Sequence, residues 1–264
     1  MHPFDQAIAL EPIADDALRA HTSDLYWNFV SPYGGVTAAV LLNSMLLSAE
    51  RIGDPLTLTV NFAGPIRAGA FTVARRVLRA TRTTQHWAVQ LTQGEDAQPL
   101  TSAVSVFAAR RPTWNLTEAA PPDVGPADDS DQPAPFPKLR WPAMYQMRYV
   151  RGRAMRENPD SLTYSWIRDA QPRVVDYASL TAMCDAFFPR IFLRRPQLVP
   201  IGTVSLNIYF HVDAQTLAEQ GTDALLAVAR ANVFSQGYFD QEGQIWGRGG
   251  RLLATTHQVV WYKE

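Results

Sequence analysis

The feature that most constrains the fold is an internal repeat, in which a helix pattern followed by strand patterns occurs twice along 264 residues. In the first half, residues 34–50 are apolar nearly all round, which predicts a helix that other elements must wrap. Gly94 predicts a turn before the last strand of this half. Strand patterns in this half cover residues 56–63, 71–81, 84–92 and 99–109.

The second half repeats that order. Residues 177–188 predict a helix that ends before Pro189, and Gly249-Gly250 predicts a tight turn between the last two strands. Residues 56–62 align with residues 204–210. The repeat predicts an α+β fold in which two antiparallel sheets, each around a central helix, can pair edge to edge. Strand patterns in this half cover residues 203–211, 224–233, 243–248 and 251–262.

A segment rich in proline and aspartate separates the two halves. Because proline has no N–H and restricts its neighbours, residues 115–139 are predicted to form a connector without helix or sheet. This divides the chain into an N-terminal repeat at 1–114 and a C-terminal repeat at 140–264, with the polar site residues in the second.

Composition excludes several classes of function. The formal net charge is -1, so we expect no nucleic-acid partner. No apolar run approaches the 18 residues typical of a membrane span, so we expect no membrane insertion. Cys184 is the single cysteine, which excludes an intramolecular disulfide. Since the N-terminal residues also show no signal-peptide pattern, we expect a cytoplasmic protein.

Three small polar side chains lie in otherwise apolar segments of the second half: Asp185, Thr203 and Gln258. Burying such groups is costly unless they have partners. If the fold brings them together, they can hydrogen-bond one another and hold a water molecule for attack, which indicates a hydrolase. Each also has a simpler interpretation: a helix-end aspartate, an ordinary strand threonine and a solvent-facing glutamine.

Four short segments of the sequence resemble motifs of a known protein family. The chain resembles the acyl-CoA thioesterase II family over roughly residues 25–110 and 140–262. The resemblance implies a double hot-dog fold, a water oriented by Asp185, Thr203 and Gln258, an acyl-CoA substrate and a homo-oligomer. Many members carry an Asp-His pair where this chain has Ser205 and Leu206. The motifs that resemble the family are at residues 32–35 (Pro-Tyr-Gly-Gly), 182–188, 202–205 and 254–258.

The chemistry of thioester hydrolysis suits these residues. Asp185 can accept the proton of water, while Thr203 and Gln258 can orient it. Backbone N–H groups at a helix N-terminus can stabilise the oxyanion, and Gly34 and Gly35 would let a substrate approach them closely. The reaction needs no cofactor. The histidines lack the spacing of metal ligands, so no metal is expected.

The repeat also predicts a single competent site per chain. Its alignment sets Pro55 opposite Thr203, and Val104 roughly opposite Gln258, so the first half lacks the polar set. Paired arginines could bind the phosphates of coenzyme A, but such pairs are more often solvated surface. These pairs are Arg75-Arg76, Arg110-Arg111 and Arg194-Arg195.

Other functions remain possible on the same fold. A catalytically silent module that binds acyl-CoA or an acyl carrier is the main alternative, because fold does not imply function. A hot-dog hydratase is disfavoured because the chain has no Asp-x-Asn-Pro-x-His stretch. The chain also has no Gly-x-Ser-x-Gly motif, so a serine nucleophile on an α/β-hydrolase fold is unsupported.

Overall fold

The computed structural model describes residues 1–125 and 136–264, so part of the predicted connector, residues 126–135, lies outside the described residues. The first half contains every predicted strand and the predicted helix, preceded by a short helix and a hairpin. Its elements are α1 (Pro3–Ala7), β1 (Glu11–Ala14), β2 (Ala17–His21), α2 (Gly34–Leu46), β3 (Asp54–Phe62), β4 (Ala70–Ala80), β5 (Thr84–Gln93) and β6 (Asp96–Ala108).

The second half has the same order of elements, again with a hairpin before its central helix. Its helices are α3 (Tyr177–Met183), α4 (Ile191–Arg194) and α5 (Ala214–Ala218). Its strands are β7 (Tyr145–Arg151), β8 (Thr163–Asp169), β9 (Ile201–Phe210), β10 (Leu225–Arg230), β11 (Phe234–Ser235), β12 (Tyr238–Gly247) and β13 (Arg251–Tyr262).

The sheet order confirms the internal repeat. The strands lie in the order β1-β2-β4-β5-β6-β3-β9-β13-β12-β10-β8-β7, and every neighbouring pair is antiparallel. The second half of this order is the first half reversed, so the predicted edge-to-edge pairing occurs between β3 and β9. The aligned residues Thr59 and Asn207 pair directly there, and the Thr59 hydroxyl donates to Asn207 Oδ1 at 2.8 Å.

The two central helices meet at the ends that face the site. Tyr33 precedes α2 and donates its hydroxyl to the carbonyl oxygen of Ala182, in the last turn of α3, at 2.6 Å. A Cβ atom at Gly35 would lie 2.6 Å from the same oxygen, so glycine permits this contact. The N-terminus of α2 is thereby fixed against the C-terminal end of α3.

The predicted helix at 177–188 is too long. It begins with a capping box between Asp176 and Ser179, but it ends at Met183, before Pro189. The residues that follow leave the helix axis and cross the inner face of the sheet, where Phe187 packs against Gly243. Asp185 therefore lies in a turn just beyond the helix. The first helix is also shorter than predicted: it ends at Leu46, and Leu47, the residue after it, is 60% exposed.

No helix among residues 1–125 and 136–264 is long and apolar enough to cross a bilayer.

Candidate active site

Asp185 and Gln258 form a buried hydrogen-bonded pair. Gln258 Nε2 donates to Asp185 Oδ1 at 2.9 Å, and the two residues are 2% and 9% exposed, Gln258 being the more buried. Alternate residues of β13, from Ala254 to Val260, are buried, so Gln258 faces inward rather than toward solvent. The simpler interpretation of a solvent-facing glutamine is therefore wrong.

The buried environment of Asp185 favours the protonated form of its carboxyl more than bulk solvent would. Burial raises the pKa of this carboxyl to about 7, although hydrogen bonds from Gln258 and from the backbone N–H of Gly35 act in the opposite direction. A carboxyl with a pKa near neutrality can both accept and return a proton at physiological pH. The carboxyl of Asp185 can therefore exchange a proton near neutral pH.

The predicted glycines occupy two different environments. Gly34 lines the cavity at Asp185, and a Cβ atom on it would lie 2.7 Å from Asp185 Oδ2. Gly35 packs instead against Ala182 and the ring of Tyr33, and its N–H is bonded to Asp185. The donor of Gly35 is therefore already engaged, and Gly34 is the glycine of the two that lines the cavity.

Thr203 reaches the same cavity through a β-bulge. Gln258 pairs with Leu206 and Val259 with Ser205, but Val260 pairs with Thr203, so Val204 is the extra residue. Cross-strand partners point to the same face, and Val260 is buried, so Thr203 faces inward. Its hydroxyl makes no side-chain hydrogen bond within the part of the chain that the structure describes.

These residues line a cavity of about 410 Å³ between the two halves. Its wall is mixed, with nine aromatic residues beside aliphatic and polar ones, and it includes Asp185, Thr203 and Gln258. A volume of this order suits a small ligand, and an apolar wall with few polar groups suits an acyl chain. The aromatic residues of the wall are Phe29, Tyr33, Phe62, Phe136, Trp141, Phe187, Phe188, Phe192 and Trp261.

Sequence reasoning missed two polar residues beside the cavity, Arg190 and Gln241. Arg190 is fully buried, and its Nε donates to Gln241 Oε1 at 3.0 Å. Gln241 is the direct cross-strand partner of Gln258 and also lines the cavity. The inward-facing position of Gln241 follows from strand register, and nothing in the local sequence separates Arg190 from the many other arginines.

The alignment of the repeats requires one correction. Pro55 does occupy the position of Thr203, since each comes directly before the extra residue of the bulge in its own half. Val104, however, is half exposed and pairs with Thr59, which makes it the counterpart of His257. The counterpart of Gln258 is Ser105, whose hydroxyl donates to Thr57 O at 2.5 Å. The first half thus has a small hydroxyl there and no amide.

Other candidate groups lie outside the cavity. Cys184 is buried, and burial raises the pKa of its thiol, so it is not a reactive nucleophile. None of the paired arginines lines the cavity within the described ranges. Among these same residues, no group of three or more His, Cys, Asp or Glu could hold a metal ion.

Comparisons with known proteins agree with this geometry. The acyl-CoA thioesterase N-terminal domain model matches residues 23–108, and the C-terminal domain model matches residues 117–262. The chain belongs to the acyl-CoA thioesterase family. Membership supports thioester hydrolysis as the general reaction. The comparison of this chain with curated proteins gave no match.

Solved structures place this thioesterase-family chain among double hot-dog proteins. A protein of unknown function with a hot-dog fold from Alicyclobacillus acidocaldarius is 44% identical over 100% of this chain and 99% of its own, with a TM-score of 0.95. The acyl-CoA thioesterase II TesB2 from Mycobacterium marinum is 16% identical over 98% of each chain, with a TM-score of 0.79. At that identity the second likeness supports the fold alone.

Proposed function

We propose that this protein hydrolyses acyl-CoA to a free carboxylic acid and coenzyme A, using a water molecule that Asp185, Thr203 and Gln258 orient. The observation that supports this most directly is the buried Asp185–Gln258 pair at the wall of an apolar cavity. Membership in the acyl-CoA thioesterase family supports the substrate class.

The proposed reaction begins with proton transfer to Asp185. As the carboxylate removes a proton from water, the water oxygen forms a bond to the thioester carbon, and the carbonyl electrons move onto its oxygen. Gln258 donates to Asp185 through Nε2, which leaves Oε1 as an acceptor for the second proton of that water. Thr203, whose hydroxyl is not otherwise engaged, supplies a third contact.

Collapse of the tetrahedral intermediate completes the reaction. The N–H of Gly34, in the first turn of α2, is the backbone donor proposed for the oxyanion, because the helix dipole favours negative charge there. When the carbonyl re-forms, the carbon–sulfur bond breaks, and the thiolate takes the proton held by Asp185. Water is thus added across the bond and Asp185 returns to its carboxylate form.

A panel of acyl-CoA thioesters tests this proposal. Thiol release is measured with short, long and aromatic acyl groups, for the wild type and for Asp185→Asn. We expect turnover by the wild type and a loss of about 10²–10⁴-fold in kcat for the variant, the usual effect of removing a general base. Binding of intact acyl-CoA without any thiol release would favour the silent binding module instead.

We also propose a homo-oligomer in the cytoplasm. The outer face of the central strands exposes apolar side chains, including Val104, Val204, Tyr209 and Val259. These side chains alternate with polar ones such as Thr59 and Asn207, and a face of such mixed composition is typical of protein interfaces. Light scattering after size exclusion measures the molar mass, and the monomer mass of 29.4 kDa at micromolar concentration would contradict the proposal.

A further inference from the structure

Arg190 is a buried cation whose hydrogen-bond partners are all neutral. It is 0% exposed, and burial lowers the pKa of its guanidinium to about 10. Its contacts join the turn after Asp185 to strands β8, β10 and β12. The partners are the carbonyl oxygens of Phe188, Ser161 and Ala229, the hydroxyl of Thr163 and Oε1 of Gln241.

This arrangement fixes the orientation of the Gln241 amide. Arginine can only donate hydrogen bonds, so the group that faces Arg190 must be the amide oxygen of Gln241. The NH₂ group is then left to face away from Arg190. It makes no hydrogen bond with residues 1–125 or 136–264, although Gln241 is only 3% exposed and lines the cavity.

The unpaired NH₂ group lies close to the proposed reaction centre. Gln241 and Gln258 are directly opposite on neighbouring antiparallel strands, where Cβ atoms are typically about 5 Å apart. Gln258 in turn contacts Asp185. The amide of Gln241 therefore lies one strand away from the Asp185–Gln258 pair and lines the same cavity.

We propose that Gln241, held by Arg190, is a specificity-determining residue that binds an oxygen atom carried by the acyl group. The preferred substrate is then an acyl thioester with an oxo or carboxylate oxygen near the thioester carbon. This inference rests on the proposed hydrolysis and names its substrate class. The positive charge of Arg190 makes the amide a stronger donor and favours an acceptor with negative charge.

The energetic reason is the cost of leaving this donor unpaired once an acyl chain covers it. A saturated acyl chain would bury the NH₂ group of Gln241 without a partner, whereas an oxygenated chain would satisfy it. A site built to bind a substrate oxygen discriminates strongly against the analogue that lacks it.

Three four-carbon thioesters test the inference: butyryl-CoA, acetoacetyl-CoA and succinyl-CoA, with the enzyme-free rates subtracted. We expect the wild type to have a kcat/KM at least about tenfold higher for one or both oxygenated substrates than for butyryl-CoA. In Gln241→Met, which removes the donor together with the oxygen acceptor of Arg190 at nearly the same side-chain length, this preference should disappear, so that kcat/KM for the oxygenated substrates falls to the value for butyryl-CoA.

Gln241→Glu provides the matched control for folding, because it keeps an oxygen acceptor for Arg190 while it replaces the donor by a second, negatively charged oxygen. It should also lose the preference, and most completely for succinyl-CoA, whose carboxylate it would repel. Acetoacetyl-CoA and succinyl-CoA distinguish an oxo from a carboxylate acceptor.

Equal losses for all three substrates in both variants would overturn the inference, as would a wild type without preference. Such a result would leave the proposed hydrolysis standing. Silence of the wild type toward all three substrates and toward longer acyl-CoAs would overturn both.

Discussion

A Cβ atom at Gly34 would lie 2.7 Å from Oδ2 of Asp185, closer than such contacts occur in proteins. The N-terminus of α2 thus approaches the carboxyl group so closely that only glycine fits without displacing it. This contact links the first half of the chain to a carboxyl supplied by the second half. The two repeats are therefore both needed for the geometry of one site.

Alanine at Gly34 should separate activity from stability. The atom it meets is the end of a side chain, and alanine is otherwise the better helix former. In Gly34→Ala we expect Asp185 to shift and kcat to fall by about 10–100-fold, while the melting temperature stays close to that of the wild type. Unchanged kcat would show that this contact does not position Asp185.

Gly35→Ala is the matched comparison. Its Cβ would meet the backbone oxygen of Ala182 and the ring of Tyr33, each at 2.6 Å, so the two helices must move apart. We expect a loss of about 1–3 kcal/mol in the free energy of unfolding, as for other overpacked sites. Urea denaturation measures it, and a variant as stable as Gly34→Ala would contradict the helix contact described above.

The rate should depend on pH through Asp185. Since burial raises the pKa of its carboxyl to about 7, kcat/KM is expected to rise about tenfold per pH unit below pH 7 and to level off above it. Gln258→Met removes a hydrogen bond to the charged form, so the rise should move to higher pH. A profile that is flat between pH 5 and 8 would exclude Asp185 as the base.

The same ionisation should affect stability. The pKa of Asp185 is about 7 in the folded protein and near 3.8 when exposed, so its contribution to stability is complete below pH 3.8 and is lost as pH rises through 7. Asparagine cannot ionise. The wild type should therefore lose free energy of unfolding as the pH rises, and Asp185→Asn should not. Between pH 5 and 7.5 the free energy of unfolding of Asp185→Asn should gain about 2–3 kcal/mol relative to that of the wild type, at about 1.4 kcal/mol per unit of pKa. Urea unfolding of both proteins at the two pH values measures this difference, which should not shrink with pH.

Two threonines on neighbouring strands allow a controlled test of the hydroxyl of Thr203. Thr203→Val removes a group without a hydrogen bond in the described structure, so the free energy of unfolding should hardly change while kcat falls at least tenfold. Thr256 has a buried hydroxyl that lacks a partner among the described residues and lies outside the cavity. Thr256→Val should keep full activity and gain stability. Thiol-release assays measure the activity of both variants, and thermal denaturation measures their stability. Equal effects of the two substitutions on activity would contradict a role of the Thr203 hydroxyl in orienting water.

The repeat made much of the fold predictable, but both hairpins were missed for physical reasons. All four residues of β1 are exposed, so it has no alternation of apolar and polar residues. In β8 three of the four buried positions are polar, namely Thr163, Ser165 and Asp169, while Tyr164 and Trp166 are less buried. A pattern that equates burial with apolar side chains cannot recognise such a strand.

Asp185, Thr203 and Gln258 could be predicted because each interrupts an apolar segment, and the cavity brings all three to one wall. Arg190 and Gln241 could not. Their contact joins a turn to β12, and its geometry depends on where α3 ends and on the register of β12 with β13. The roles of the three predicted residues in catalysis stay a proposal until measured.

The most direct test of the account is a single turnover of acyl-CoA in H₂¹⁸O with enzyme in excess. If Asp185 directs water onto the thioester carbon, one ¹⁸O atom appears in the released acid, and the peptide that contains Asp185 stays unlabelled. Label in Asp185, with an unlabelled acid, would mean that the carboxylate itself attacks the thioester, and that result would contradict the account.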